Sequence, residues 1–348
     1  MLLHGFQAYQ HAPHGLWREI HGTYAAVVKG GGHDIALDKD RPPGLVAGTT
    51  AHHLYKKLLL LAISGPYRMQ HGELARVKKV LDGWASRVLL VPLSQMEQSK
   101  GLFVVDTQAD GPPKYCCLVE KEKPVHGWVL DTTQLAEYLT EEYAEHGGPE
   151  RGQYIADALG RFQEIPSDLM QRLMLAWGMA VTRQHQRHRS GGEMLLSSGV
   201  DSLFTLFGGE DLDPGGGSSE KARTAGERYV ITGGVERLRL GKGGARRAPP
   251  RADSEDVVAD VPVKVCRILN ERDTGYQLAW RGAQGFLHVG EIVALKPPSS
   301  PKQLGVVRCL REDVDRLVNM GVELLRGRVV PGVLHQDRME GEVSHHRV

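Results

Sequence analysis

The chain has 348 residues, 41% of them apolar and 24% charged, which is long enough for two modest domains with cores of their own. Its formal net charge of +1 excludes a uniformly basic nucleic-acid coat, so any anion site has to come from arginines clustered locally. The cysteines, Cys116, Cys117, Cys266 and Cys309, show no C-x-x-C spacing; this speaks against a structural zinc or a disulfide framework and for a reduced, cytoplasmic setting.

The first ten residues, MLLHGFQAYQ, lack the apolar stretch and cleavage site of a signal peptide and read as the middle of a helix, so an upstream portion is expected. Leu16, Ile20, Tyr24 and Val27 recur at helical spacing until the glycines at 30–32 end the run. After a Gly/Pro/Asp-rich linker, Thr49 and Thr50 are candidate caps for a second helix, AHHLYKKLLLLAI, which breaks at Ser64-Gly65-Pro66. Its apolar core, Leu58 to Ile63, is far shorter than the roughly 20 residues a membrane span needs, and no membrane insertion is expected. The third helix, GELARVKKVLDGWA, aligns Leu74, Val77, Leu81 and Trp84 on one stripe and turns Lys78 and Lys79 to water, completing a helical hairpin.

A short β-like run, GLFVVD, ends at Asp106; helix is expected again over 131–143 and over 166–183, the latter with Pro166 before it and Ser167 as its cap. Trp17, Trp84 and Trp177 fall on apolar helix faces and read as core. The first half is therefore expected to be mostly helical. Beyond Arg183 come QHQRHRSGG, one strand-like run, MLLSSGV, and a tract over 208–251 dense in Gly, Ser, Asp and Arg that reads as linker or insertion. From Val257 the pattern alternates through VVADVPVKVCRIL, GYQLAW, FLHVGEIVALK, GVVRCLR and NMGVELL, which predicts a small antiparallel barrel. The expected class is α+β multidomain. Its parts are a helical scaffold at 1–189, a strand-turn and linker at 190–252, the barrel at 253–335 and a tail at 336–348.

Between two of those strands stands Asn-Glu-Arg-Asp-Thr-Gly, residues 270–275. Asp273-Thr274-Gly275 suffices for a plain hairpin turn, but upstream lies Arg247-Ala-Pro-Pro-Arg251, an arginine pair spaced by three, followed by one strand and then Asn270-x-Arg272-x-x-Gly275. At these residues the chain resembles the PilZ family of cyclic-di-GMP receptors, whose small barrel is preceded by an arginine pair and carries a [DN]-x-S-x-x-G turn. The resemblance runs from about Arg247 to Leu325. The helical half, with PHGLWREIH, LLLLAISGPYRMQHGELARV and GLFVVD followed by PPKY, is similar to the N-terminal part of bacterial proteins that end in such a domain.

The resemblance implies a bacterial signalling effector without catalysis, binding cyclic-di-GMP at the barrel lip and a protein partner through the helical domain, with no cofactor. Arg247 and Arg251 would fork onto phosphate or guanine, Asn270 would pair with a guanine edge, and Gly275 would let the turn backbone approach the ligand. Arg272 stands where the family turn has Ser, so it either binds phosphate or fills the site. A degenerate PilZ-like adaptor that contacts only protein is the alternative.

A second motif, LLSSGVDSLF, is similar to the phosphate loop of ATP pyrophosphatases, with Ser197, Ser198, Gly199, Asp201 and Ser202 as its residues. Ser198 replaces that loop's first Gly, no α/β repeat follows, and a strand, a turn and a short helix capped by Asp201 explain it as well. His185 with His188 lacks a companion carboxylate or cysteine set. His52 and His53, being adjacent, point to different faces of a helix, and His33-Asp34 is a lone dipeptide, so no metal site is expected. No Ser/His/Asp set, paired carboxylates or G-x-G-x-x-G rises above chance.

Overall fold

The computed structural model describes residues 1–38, 46–93, 102–118, 127–146, 153–156, 162–178, 191–207, 263–282, 287–298, 300–327, 329, 333–337 and 343–347. The chain divides into two compact units: residues 1–186, 281–289 and 308–320 form the first, and 187–280, 290–307 and 321–348 the second.

The first unit opens with α1 (Leu2–Gln7), α2 (Leu16–Lys29), α3 (Ala51–Ile63) and α4 (Glu73–Ala85). Thr50 caps α3 as expected, its hydroxyl oxygen accepting from the His53 amide at 3.1 Å, and Gly65 (φ 77°) takes the left-handed conformation that turns the chain after the helix. On α4, Leu74, Val77, Leu81 and Trp84 are buried and Lys78 and Lys79 exposed. The core also takes Trp17 and Trp177, with Trp84 and Trp177 edge to face at 5.2 Å and the Trp177 indole donating to the Leu60 carbonyl at 3.1 Å.

This unit is less helical than its sequence pattern suggests. Strands β1 (Leu89–Pro92), β2 (Leu102–Asp106), β3 (Lys114–Tyr115) and β4 (Gly127–Asp131) form an antiparallel sheet in the order β1-β4-β2-β3. After α5 (Thr133–His146), β5 (Gln153–Ala156) and β6 (Phe162–Ile165) form a separate hairpin that leads to α6 (Ser167–Trp177). Ser167 is the first residue of α6 rather than its cap; Pro166 holds the cap position, and the Ser167 hydroxyl pairs with that of Tyr143 at 3.1 Å. Residues 179–183, into which the helix was expected to run, lie outside the described residues.

Further along the chain, β7 (Glu193–Ser198) leads to α7 (Val200–Leu206), and β8 (Val263–Arg272), β9 (Gly275–Arg281), β10 (Ile292–Lys296), β11 (Gln303–Glu312) and β12 (Leu317–Leu324) follow. They close a barrel in the order β10-β11-β12-β9-β8-β7. Closure depends on β7, which pairs antiparallel with both β8 and β10 and which the sequence pattern left in the intervening segment. Leu196, Cys266, Ile268, Leu278, Val293, Leu295, Val307 and Val322 are buried, whereas Leu195 and its cross-strand partner Val265 face outward and are exposed, the period-two alternation of a filled barrel. Burial pushes the Cys266 thiol up to about 12. The barrel ends at Leu324, and the expected tail contributes to a two-stranded pair, β13 (Val333–Asp337) with β14 (Val343–Arg347).

Candidate nucleotide-binding site

The β8–β9 hairpin is defined by its register. Arg272 pairs with Gly275, leaving Asp273-Thr274 as a two-residue turn, and Glu271 then faces Tyr276 and Asn270 faces Gln277. Beyond that pair the register shifts, with Ile268 rather than Leu269 opposite Leu278. Leu269 is thus the extra residue of a β-bulge, and it decides which side chains face the core. In a regular strand Cys266, Ile268 and Asn270 would share one face; the bulge lets Cys266 and Ile268 fill the barrel while Asn270 and Arg272 fall on the opposite face with Arg267.

Asn270 is half-buried, and its Nδ2 donates to Gln277 Oε1 at 2.8 Å. Arg272 is half-buried, and its guanidinium makes no hydrogen bond or ion pair with any described residue. The Thr274 carbonyl accepts from the Leu324 amide at 2.8 Å, tying the turn to the end of β12. Gly275 is explained by packing: a Cβ there would lie 2.0 Å from the Val322 carbonyl oxygen, so the missing side chain is the space through which β12 passes. On the inner face, burial raises the Tyr276 pKa and neighbouring Glu271 adds to it, keeping the phenol protonated. Lys264, its own pKa lowered mainly by burial, stands 5.2 Å from the centre of the Trp280 ring.

Of the five residues expected at the site, the structure brings Asn270, Arg272 and Gly275 together on one hairpin, while Arg247 and Arg251 lie outside the described residues. Gln277 was missed, although counting outward from a two-residue turn puts it opposite Asn270. The other motifs resolve into structure. Ser197 is buried in β7, Gly199 (φ 90°) makes the turn and Asp201 lies in the first turn of the seven-residue α7, beside antiparallel strands rather than α/β repeats. His52 Nδ1 meets the Tyr24 hydroxyl at 2.6 Å and His53 meets Asp82 at 3.5 Å, so the two rings serve different partners. His33 pairs with Asp34 at 3.3 Å, and His185 and His188 lie outside the described residues. Among the described residues, no group of three or more His, Cys, Asp or Glu could hold a metal ion, and no helix is long and apolar enough to cross a membrane.

Comparison with known families decides the class. Residues 1–94 match the model for the N-terminal domain of the cyclic-di-GMP receptor FimW, and residues 102–212 match the model for its middle PilZ domain. The chain is thus similar to PilZ-domain proteins that carry a distinct N-terminal domain. A curated relative, the cyclic-di-GMP receptor FimW of Pseudomonas aeruginosa, is 26% identical over 371 aligned positions that take in 99% of this chain. The chain spans 60% of the length of that relative. No solved structure matches. The matched PilZ stretch runs from β2 past α7 and shares only β7 with the closed barrel, whereas the sequence reading placed its PilZ-like barrel at 253–335.

Proposed function

We propose that this protein is a cyclic-di-GMP-responsive signalling effector, bacterial and cytoplasmic, that acts without catalysis or cofactor. The dinucleotide would bind at the lip of the barrel, and the N-terminal unit would carry the contact to a protein partner; neither nucleic acid nor a membrane is part of the scheme. The single observation that carries the reading is the β8–β9 hairpin, where a bulge turns Asn270 and Arg272 onto the outward face of a closed barrel. Support comes also from the relative's name, since FimW is called a cyclic-di-GMP receptor. In chemical terms, the ligand offers two phosphates and two guanines, which suit the guanidinium groups of Arg247, Arg251 and Arg272 and the carboxamide of Asn270.

Calorimetry of the purified chain with cyclic-di-GMP tests this. Binding is expected, and Arg247→Ala or Arg251→Ala should each weaken it about tenfold or more, the loss of a charge-assisted hydrogen bond. Affinity unchanged in both variants removes the mechanism. A second reading, a degenerate adaptor, is favoured by two observations: Arg272 stands in place of Ser, and Val322 already accounts for Gly275. On that reading only Arg272→Ser binds the nucleotide, and capture of the partner is the same with and without it.

A further inference from the structure

We propose that Gln277 is a positioning residue that sets the base preference of this site, an inference that rests on the reading of the hairpin as a cyclic-dinucleotide site. A carboxamide is ambiguous as a recognition group, because its oxygen accepts and its nitrogen donates, and a free Asn can turn either towards a base. Asn270 is not free. Its Nδ2 donates to Gln277 Oε1 at 2.8 Å, while its Oδ1 accepts from no described residue. The strand register enforces the pairing, since the two residues sit directly opposite each other as the third pair from the turn, on the outward face that the bulge at Leu269 creates.

With one N–H of Nδ2 held by its neighbour the carboxamide is restrained in orientation, and Oδ1, which accepts from no described residue, is the acceptor it presents to a ligand. Guanine presents donors, N1–H and the 2-amino group, on its pairing edge, whereas adenine has an unprotonated N1 at the corresponding position. An acceptor fixed at Asn270 therefore favours guanine, and a donor fixed there would favour adenine. Gln277 need not touch the ligand to exert this selection; it acts through Asn270.

The test is to titrate the full chain and its variants with cyclic-di-GMP and with cyclic-di-AMP and to compare the affinity ratio. The wild type should prefer the guanine ligand. Gln277→Glu, which keeps an acceptor for Nδ2, should hold the preference, and Gln277→Leu should lower the ratio about tenfold. Gln277→Lys places a donor opposite Asn270, obliging the carboxamide to reverse, and should shift preference towards adenine; being polar, it serves where Gln277→Leu fails to fold. Denaturation midpoints identify misfolded variants. A wild type that binds with a ratio insensitive to both Gln277→Leu and Gln277→Lys overturns the inference alone. A wild type that binds neither nucleotide overturns the proposed function and this inference with it.

Discussion

At Gly275 the backbone leaves no room for a methyl group, and the obstacle is another strand's carbonyl rather than a ligand. Gly275→Ala would force β9 and β12 apart, so it should cost about 1–3 kcal/mol, the usual penalty of overpacking, read as a lower denaturant midpoint in the absence of any nucleotide. A variant with wild-type stability and selectively lost nucleotide binding would restore the ligand role that the sequence suggested. The glycine was legible in the sequence, but its reason was not, because sequence does not say which distant strand occupies the space beside it. A buried histidine was equally hidden. His21 is fully buried, with Nε2 2.9 Å from the Gly111 carbonyl, to which it must donate, and Nδ1 2.7 Å from the Tyr55 hydroxyl, from which it then accepts. Burial lowers its pKa, only partly opposed by the Gly111 carbonyl and by Asp106 and Asp110. Unfolded, the ring titrates near about 6.5, so below that pH the unfolded chain binds more protons and the folded state loses stability as pH falls. The contribution is fully present above that value. Urea midpoints between pH 7.5 and 5.5 should therefore drop more in wild type than in His21→Asn; equal slopes would remove His21 from the pH response.

Elements differ in how plainly the sequence announces them. Helices α2, α3 and α4 repeat their apolar residues every three or four positions and have local stop signals, so their limits can be read from a few neighbours. The strands β1 and β4 are four or five residues long, and their stability comes from pairing across a gap in sequence, Leu90 with Leu130 and Val91 with Val129. Nothing local in LLVP or GWVLD distinguishes them from loop. The same contrast explains Ser167, a good cap by composition, whose hydroxyl is instead engaged by Tyr143 from another helix. Where a cap is local, its loss should be measurable. Thr50→Ala removes the oxygen that accepts from the His53 amide and should lower stability by about 1 kcal/mol, while Thr50→Ser should keep most of it. A difference near zero between the Ala and Ser variants, by chemical denaturation, would place the start of α3 under the control of packing alone.

For the whole molecule, the consequential feature is that the barrel begins at Glu193, some sixty residues before the alternating stretch that announces it. Five of its six strands could be counted from sequence. The sixth, EMLLSS, could not be assigned to them, because a segment over 208–262 intervenes and chain proximity gives no hint of the pairing. Physically, β7 is what removes the edges: Leu195 lies opposite Val265 and also opposite Lys296, so without it β8 and β10 would each present unpaired amides and carbonyls. Two fragments separate the alternatives. One spanning 253–348, the limits suggested by the alternating pattern, lacks β7 and should aggregate or unfold without a cooperative transition. One spanning 187–348 restores β7 and should be more soluble and more resistant to thermal aggregation at equal concentration. Because β8 and β10 depend on the same strand, Leu196→Pro in the full chain, which deletes an amide from β7 and a buried side chain from the barrel, should reproduce the defect of the shorter fragment. If instead the 253–348 fragment unfolds cooperatively at the same midpoint as the longer one, the barrel closes without β7, and the boundary read from the alternating pattern is the right one.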